Sequence, residues 1–159
     1  MPSEIVKECS KVLAEKGWNM AFAESATAGR MSAEFAMTDE SGKVLCGGIV
    51  CYDACVKETL LQVPHHIIAA YTPESAEVTQ LLSEQVSKLF NSKIAVAITG
   101  LTAPGGSENE DKPLGTIFFH IITPTKNLSH REVFKGTPEA IVLKAIDKTA
   151  ELILNSLND

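Results

Sequence analysis

Three segments of the sequence place residues that can carry out chemistry next to predicted strand ends. In residues 23–29 a buried strand passes into a helix, and Ser25 or Thr27 offers a hydroxyl at that junction. A helix N-terminus also provides free N–H groups for an anion or for a developing oxyanion. The plainer interpretation is that Ser25 or Thr27 is the N-cap of that helix, and the spacing alone favours it.

The second segment, residues 52–57, contains Tyr52, Asp53 and Lys57. If Asp53 caps the helix that follows, Lys57 lies about one turn inside it, near the same strand ends as Ser25. A lysine amine is a general base only where burial or neighbouring positive charge lowers its pKa. The alternative is an ordinary solvated lysine, as most lysines on helices are.

The third segment is a glycine-rich loop over residues 99–107. Gly100 and Gly105 have the separation found in a Walker A loop, but Gly106 stands at the lysine position and acidic and polar residues follow. The pattern therefore argues against an NTPase. A glycine-rich backbone can still hold a phosphate through its N–H groups, and the alternative is a flexible surface connection between two strands.

The charge balance narrows the classes of partner. The chain has 159 residues, with 14 Lys and Arg against 20 Asp and Glu and a formal net charge of −6. This balance argues against a nucleic-acid-binding protein or one that binds an anionic membrane. The only arginines are Arg30 and Arg131, so bidentate guanidinium contacts are scarce. Backbone N–H groups, hydroxyls and lysines would have to hold an anionic ligand.

Cysteine usage and the lengths of apolar runs indicate the compartment. The 4 cysteines include no Cys-x-x-Cys pair, so we expect reduced thiols, with a disulfide pair as the minor alternative. The histidines show no metal-ligand spacing, so we expect no metal site. The first residues do not have a signal-peptide pattern, and the apolar runs are too short to span a membrane. We therefore expect a cytoplasmic protein without membrane association.

Helix and strand patterns alternate along the chain and must position the three segments. Near-continuous apolar runs at residues 93–99 and 116–123 are typical of strands that are covered on both faces. Thr-Pro-Glu sequences at 72–74 and 137–139 each predict a helix start, with Pro at the first helical position. Further strands are predicted over residues 18–23, 44–52 and 129–134, the last at a sheet edge, and further helices over 27–37 and 54–61. We expect a single α/β domain over residues 1–159, a three-layer sandwich with a mixed, largely buried sheet flanked by helices.

Five motifs along the chain combine into one pattern. They are Ala23-Glu24-Ser25-x-Thr27-x-Gly29, Gly47-Gly48-x-Val50-x-Tyr52-x-x-x-x-Lys57, Leu60-Leu61-x-Val63, Thr99-Gly100-x-x-x-Pro104-Gly105-Gly106 and Lys112-Pro113-x-Gly115-Thr116. In this order they resemble the CinA C-terminal family, the nicotinamide-nucleotide amidohydrolases that are also called NMN deamidases. The resemblance covers almost the whole chain, in the free-standing form of the domain.

The resemblance implies hydrolysis of nicotinamide mononucleotide (NMN) to nicotinate mononucleotide and ammonia, in pyridine-nucleotide recycling and without a metal or other cofactor. It implies that Ser25 is the nucleophile, Lys57 its base and Tyr52 an aromatic hydroxyl beside them. The oxyanion would be held by the N–H groups of Thr27, Ala28 and Gly29. Ribose and phosphate would be held by the glycine-rich loop, with the residues Thr99, Gly100, Thr102, Gly105 and Gly106.

The sequence departs from the family pattern at the positions of two arginines, the first of which is believed to help bind the substrate. Pro138 and Val142 stand there instead. This departure motivates a second hypothesis, a family member without turnover that binds a nucleotide or a protein partner, and a third, an amidase for a less anionic amide. Intact Ser25, Tyr52 and Lys57 favour the active enzyme. The resemblance to oligomeric enzymes also implies a homo-oligomer.

Overall fold

The predicted α/β architecture is confirmed. A computed structural model describes residues 1–158, which form a five-stranded mixed sheet with helices on both faces. The strands are β1 (Met20–Glu24), β2 (Leu45–Val50), β3 (Ile94–Gly100), β4 (Thr116–Ile122) and β5 (Asn127–Val133). The helices are α1 (Glu4–Lys16), α2 (Arg30–Ala36), α3 (Ser41–Val44), α4 (Ala54–Thr59), α5 (His65–Tyr71), α6 (Ala76–Phe90) and α7 (Pro138–Ser156). All five predicted strands occur, with small shifts at their ends.

The order of the strands brings three strand ends to one edge of the sheet. The order is β2-β1-β3-β4-β5, in which β1 pairs in parallel with β2 and β3, while β4 is antiparallel to β3 and to β5. Glu24 aligns with Val50 of β2 and with Ile98 of β3, so these strands end side by side. Because β2 and β3 lie on opposite sides of β1, the chain opens a crevice outside the carboxyl ends of the strands, where α/β sheets bind ligands.

The central strands are buried, as their apolar sequences predict. Every residue of β1 is buried, and so is every residue of β3 and β4 except the last, whereas the edge strands β2 and β5 alternate in exposure. Helices α1 and α7 pack on one face of the sheet, and α6 packs on the other. Within residues 1–158, a helix with the length and apolar character needed to cross a bilayer is not found.

Helix α2 begins at Arg30, later than the predicted start at Thr27. Ala28 and Gly29 have positive φ values of 47° and 94°, which are the values of a tight turn and not of a right-handed helix. Neither Ser25 nor Thr27 therefore caps α2, and the plainer interpretation of the two hydroxyls is wrong.

The two Thr-Pro-Glu sequences adopt different structures, and only one of them starts a helix. The second one is a helix start, as predicted, because the Thr137 hydroxyl caps α7 and Pro138 is its first residue. The prediction for residues 72–74 is wrong. Thr72 has a φ of 72° and ends α5, a helix that the sequence pattern did not predict, and α6 starts only after Ser75, whose hydroxyl is its N-cap. A residue before proline is disfavoured in the helical region, which fits this break in the chain.

Candidate active site

Ser25 and Lys57 meet at the edge of the sheet where β1 and β2 end. Ser25 directly follows β1, and Lys57 lies one turn into α4, whose start Asp53 caps by accepting the Cys55 N–H at 2.7 Å. The Nζ atom of Lys57 is 2.9 Å from the Oγ atom of Ser25. Ser25 is 6% exposed and Lys57 is 1% exposed. The proximity expected from the sequence is present, and the alternative of a solvated Lys57 is wrong.

Two backbone carbonyls fix the direction of the Lys57 amine. Nζ donates to the carbonyl oxygen of Cys51 at 2.6 Å and to that of Tyr52 at 3.2 Å, in addition to its contact with Ser25. A neutral amine has a pair of N–H bonds and a single lone pair. When the N–H bonds point at the carbonyls, the lone pair points at the Ser25 hydroxyl, which is the arrangement that a general base requires.

Burial lowers the pKa of Lys57, because a charged ammonium loses its hydration inside the protein. The Cys51 thiol and the carboxylates of Glu74 and Asp53 favour the charged form, but their effect does not cancel that of burial. The direction is the one that a lysine base needs, since a lower pKa increases the neutral fraction of the amine.

The buried carboxylate of Glu24 holds the turn that carries Ser25. Its Oε1 atom accepts the Thr27 hydroxyl and the Met31 N–H, both at 2.7 Å. Its Oε2 atom accepts the N–H of Ser32 at 3.0 Å and the hydroxyl of Ser32 at 2.6 Å. Glu24 thereby joins the end of β1 to the start of α2, with Ser25 between these fixed ends. The sequence motif did not predict this role of Glu24. The signal that could have predicted it is an acidic residue at the end of an otherwise apolar, buried strand.

The backbone after Ser25 offers N–H groups for an oxyanion. The Ala28 N–H donates to the Ser25 carbonyl at 3.2 Å and is therefore occupied. Within residues 1–158, the N–H groups of Ala26 and Thr27 have no hydrogen-bond acceptor. Of the predicted donors, Thr27 and Gly29 thus keep an N–H without an acceptor in the described chain, whereas Ala28 does not. Ala26 offers a further free N–H directly after Ser25, a position that serves oxyanion holes at comparable strand-to-helix turns.

A cavity of about 240 Å³ opens beside Ser25. Its lining consists of Ser25, Ala26, Tyr52, Glu74 and residues 100–106. The lining includes the predicted binding residues Gly100, Thr102, Gly105 and Gly106. Thr99 does not line it, because the Thr99 side chain faces α6 and its hydroxyl is 2.9 Å from that of Thr79. The end of β3 therefore brings the glycine-rich loop to Ser25, without the hydroxyl of Thr99.

Tyr52 lies in the lining of the cavity but not in hydrogen-bond contact with Ser25 or Lys57 through its hydroxyl. Its side chain is exposed, and it is the backbone carbonyl that accepts the Lys57 amine. Within the described part of the chain, the Tyr52 hydroxyl has no hydrogen bond. This position suits contact with a ligand in the cavity better than direct control of the Ser25–Lys57 pair.

Hydrogen bonds join the start of the glycine-rich loop to the residues where β4 begins, and a further hydrogen bond joins the loop to a glutamate just after it. The Leu101 N–H donates to the Thr116 carbonyl at 3.0 Å, and the Gly115 N–H donates to the Leu101 carbonyl at 2.7 Å. The Gly105 N–H donates to the Oε1 atom of Glu108 at 2.8 Å. One of the N–H groups expected to hold a phosphate is therefore already paired within the protein. Among the described residues, no cluster of three or more His, Cys, Asp and Glu side chains could hold a metal ion.

Comparisons with known proteins establish the family. The family model of the CinA C-terminal domain matches residues 2–157. The chain belongs to this family. The crystal structure of the competence damage-inducible protein A (ComA) from Klebsiella pneumoniae subsp. pneumoniae MGH 78578 is similar to this CinA C-terminal domain, with a TM-score of 0.90 and 27% sequence identity. That similarity covers 98% of this chain and 96% of the Klebsiella chain.

Curated relatives of this CinA C-terminal domain are longer proteins. A putative competence-damage inducible protein of Geobacillus sp. (strain WCH70) is 32% identical over 154 residues, which are 96% of this chain and 36% of the relative. Its counterpart in Desulforudis audaxviator (strain MP104C) is 28% identical over 152 residues, 96% of this chain and 37% of the relative. The chain thus spans little more than a third of the length of these relatives, whose names state no reaction and no substrate.

Proposed function

We propose that this protein is an amidohydrolase that hydrolyses the carboxamide of NMN or a close pyridine nucleotide. Ser25 is the nucleophile of this proposal and Lys57 is its general base. The supporting observation is the 2.9 Å contact between Lys57 Nζ and Ser25 Oγ, both buried, beside a cavity at the carboxyl ends of parallel strands. The reaction belongs to cytoplasmic pyridine-nucleotide recycling, and we propose a homo-oligomer as its working form.

In the first half-reaction, the neutral Lys57 amine removes the Ser25 proton while Oγ bonds to the carboxamide carbon. The N–H groups of Ala26 and Thr27 stabilise the oxyanion that forms on the carboxamide oxygen. The C–N bond then breaks, and the Lys57 ammonium gives its proton to the departing nitrogen. Ammonia leaves, and an acyl ester remains on Ser25. Tyr52, in the lining of the cavity, is the alternative proton donor.

In the second half-reaction, water attacks the ester carbon and Lys57 removes a proton from that water. The bond between the carbon and Ser25 Oγ breaks, the proton passes from Lys57 to Oγ, and the acid product releases its remaining proton to solvent and leaves as the carboxylate. Lys57 returns each proton within the half-reaction in which it takes it. The amine therefore begins and ends every cycle in its neutral form, which is the form that burial favours.

The test is to incubate the purified protein with NMN and to follow ammonia and nicotinate mononucleotide. We expect turnover by the wild type and only background release by Ser25→Ala, because the variant lacks the attacking oxygen. Ser129→Ala removes an exposed hydroxyl on β5 and is the matched control, which should keep full activity. A wild type whose release of ammonia equals that of Ser25→Ala would refute the proposed reaction for NMN.

A second function, ligand binding without turnover, is favoured by one observation. The positions of the two family arginines hold Pro138 and Val142 at the start of α7, and these side chains have no charge to offer a substrate. Under this alternative, calorimetric titration with NMN gives a binding isotherm, whereas the ammonia assay stays at background. Turnover that depends on Ser25 excludes it.

A further inference from the structure

The cavity beside Ser25 has a negative charge in its lining and no free positive one. Within residues 1–158, Glu74 is the one side chain of the lining that is charged near neutral pH. Lys57 is buried against Ser25, and Lys112 donates to the Thr72 hydroxyl at 2.6 Å and to the Glu74 carbonyl at 2.9 Å without lining the cavity. A ligand in this cavity therefore meets the Glu74 carboxylate, while the Lys112 ammonium acts on that charge from outside the lining.

Glu74 is fixed in position, and one of its oxygens is free. The Ser107 hydroxyl donates to its Oε2 atom at 2.6 Å, and Lys112 holds its backbone carbonyl. Its Oε1 atom accepts no hydrogen bond within the described chain and lies 3.6 Å from the point that a Cβ on Gly106 would occupy. Because Gly106 lines the cavity, the lone pairs of Oε1 are next to the space for a ligand.

A second carboxylate oxygen lies at the same place. The Oε2 atom of Glu108 is buried without a hydrogen-bond partner and is 3.5 Å from the same point beside Gly106. The other Glu108 oxygen is occupied by the Gly105 N–H. Backbone N–H groups of Gly105, Glu108 and Gly106, together with the Lys112 ammonium, lower the pKa of the Glu108 carboxyl. Glu108 does not line the cavity, so its stabilised negative charge adds to the field behind Glu74 without contacting a ligand.

The arginines of the chain do not change this charge balance. Arg30 forms ion pairs with Glu34 at 2.7 Å and with Glu139 at 3.5 Å. Arg131 lies over the ring of Phe118, 5.6 Å from the ring centroid. Neither arginine lines the cavity. A phosphate placed there would depend on backbone N–H groups and would face the Glu74 carboxylate, which is unfavourable for an anion.

We propose that Glu74 selects substrates by the positive charge of an N-substituted pyridinium ring. On this proposal, which rests on the proposed function, the cavity takes cationic pyridine carboxamides in preference to neutral ones and gains little affinity from a phosphate. In such a substrate the charged ring carries the carboxamide directly, so Glu74 can face the ring while Ser25 faces the amide. The cavity volume of about 240 Å³ suits this ring and its amide, since pockets that enclose drug-sized ligands are typically about 300–1,000 Å³.

The Glu74 carboxylate also links substrate binding to the pKa of Lys57. Glu74 opposes the effect of burial on the pKa of Lys57, together with the Cys51 thiol and Asp53, and its carboxylate favours the ammonium. A cationic ring bound at Glu74 offsets this carboxylate, and the Lys57 amine is then neutral in a larger fraction of molecules. A neutral amide has no such effect, so the positive charge of a substrate favours both its binding and the proton transfer that follows.

The experiment compares the wild type with Glu74→Gln on three carboxamides: NMN, nicotinamide riboside, which is cationic without phosphate, and neutral nicotinamide. We expect the wild type to hydrolyse the riboside at least as well as NMN, and both at least about 10-fold better than nicotinamide. Glu74→Gln should lose about 10-fold in kcat/KM, or about 1.4 kcal/mol, on the cationic substrates alone. The acid limb of its kcat/KM profile should also move to lower pH, since the variant lacks the charge that favours the Lys57 ammonium.

Glu77→Gln is the matched control, because Glu77 is an exposed carboxylate in the first turn of α6 and should not affect the ratio between substrates. Equal loss on all three substrates in Glu74→Gln, or efficient hydrolysis of nicotinamide by the wild type, would overturn the proposal.

A binding measurement separates failure of charge selection from failure of the proposed reaction. Calorimetry on Ser25→Ala should show tighter binding of 1-methylnicotinamide than of nicotinamide, and adding Glu74→Gln should abolish the difference. Equal affinity for the two probes in Ser25→Ala would contradict selection by charge even where NMN turnover is absent.

Discussion

Replacement of Glu24 by glutamine tests whether the buried carboxylate organises the turn of the nucleophile. Glu24 is 1% exposed, and its oxygens accept four hydrogen bonds from Thr27, Met31 and Ser32. Glutamine has nearly the same shape, but its amide nitrogen is a donor and must face donors that a carboxylate accepts. The variant therefore changes the hydrogen bonds of the turn with little change in packing.

The expected loss of stability in Glu24→Gln follows from the groups that donate to each Glu24 oxygen. Each Glu24 oxygen accepts one hydroxyl and one backbone N–H, so either orientation of the glutamine amide directs its nitrogen at such a pair. The hydroxyl can rotate and accept instead, but the N–H of Met31 or of Ser32 cannot. One buried N–H left unpaired costs about 1–3 kcal/mol, and loss of charge assistance in the other hydrogen bonds adds about 1 kcal/mol. We expect the free energy of unfolding to fall by about 2–4 kcal/mol.

The assay is urea unfolding followed by the fluorescence of the single tryptophan, Trp18, together with the rate of ammonia release. Glu34→Gln is the matched control, because Glu34 is 3% exposed in α2 and accepts Arg30 Nε at 2.7 Å, which a glutamine oxygen can also accept. We expect the control to lose about 1 kcal/mol, because its one hydrogen bond to Arg30 loses charge assistance but is kept, and to keep its activity. Equal unfolding midpoints in the two variants, with full turnover in Glu24→Gln, would refute the role assigned to Glu24.

Three further predictions concern the base and a buried histidine. Lys57→Met should lower kcat by at least about 1,000-fold, and retained turnover would exclude Lys57 as the base; the urea midpoint should also fall, because the Cys51 and Tyr52 carbonyls lose their donor, so kcat is measured well below that midpoint. In the wild type, kcat/KM should rise with pH along a limb whose midpoint lies below the ordinary lysine value of 10.5, as burial lowers the pKa of Lys57; a midpoint at or above that value would contradict it. Burial also lowers the pKa of His120, whose Nδ1 atom is 2.7 Å from the Ser83 hydroxyl, while Glu84 opposes the shift. Because the unfolded chain takes up a proton near pH 6.5 and the folded chain resists it, stability should fall as pH drops below 6.5, and urea midpoints at pH 7.5 and 5.5 should show a loss that His120→Gln lacks.

Local signals predict where Ser25 and Lys57 lie in the fold, but their assignment as a pair came from the family resemblance, since the local patterns alone favour a helix-capping serine and a solvated lysine. An apolar run ends immediately before Ser25, and a run of this kind in an α/β protein is a central strand whose carboxyl end faces the crevice. Asp53 is a strong N-cap, and a cap fixes where α4 begins and therefore on which turn Lys57 lies. Short-range chemistry thus predicts the two positions, whereas the contact between Ser25 and Lys57, which are 32 residues apart, and the burial of Lys57 are tertiary features.

The carboxylates of the site could not be predicted in the same way, because their partners are distant in sequence. The pattern at residues 72–74 has every local feature of a helix start, yet Lys112 binds Thr72 from 40 residues away and Ser107 binds Glu74 from 33 residues away. These contacts hold the segment as a turn and leave Glu74 outside α6, beside the cavity. Local propensity is a weak prior, and tertiary contacts override it at this site.

The partners of Lys57 explain how a buried amine can exchange a proton without rearrangement. As an ammonium it has N–H bonds for the Cys51 carbonyl, the Tyr52 carbonyl and Ser25 Oγ; as a neutral amine it keeps the carbonyls and directs its lone pair at Oγ. Carbonyl oxygens do not titrate, so the amine keeps its direction in both protonation states. What remains variable is the surrounding charge, and of the carboxylates that act on Lys57, Glu74 is the one in the lining of the cavity. The charge of a bound ligand is thus the means by which binding can alter the basicity of Lys57.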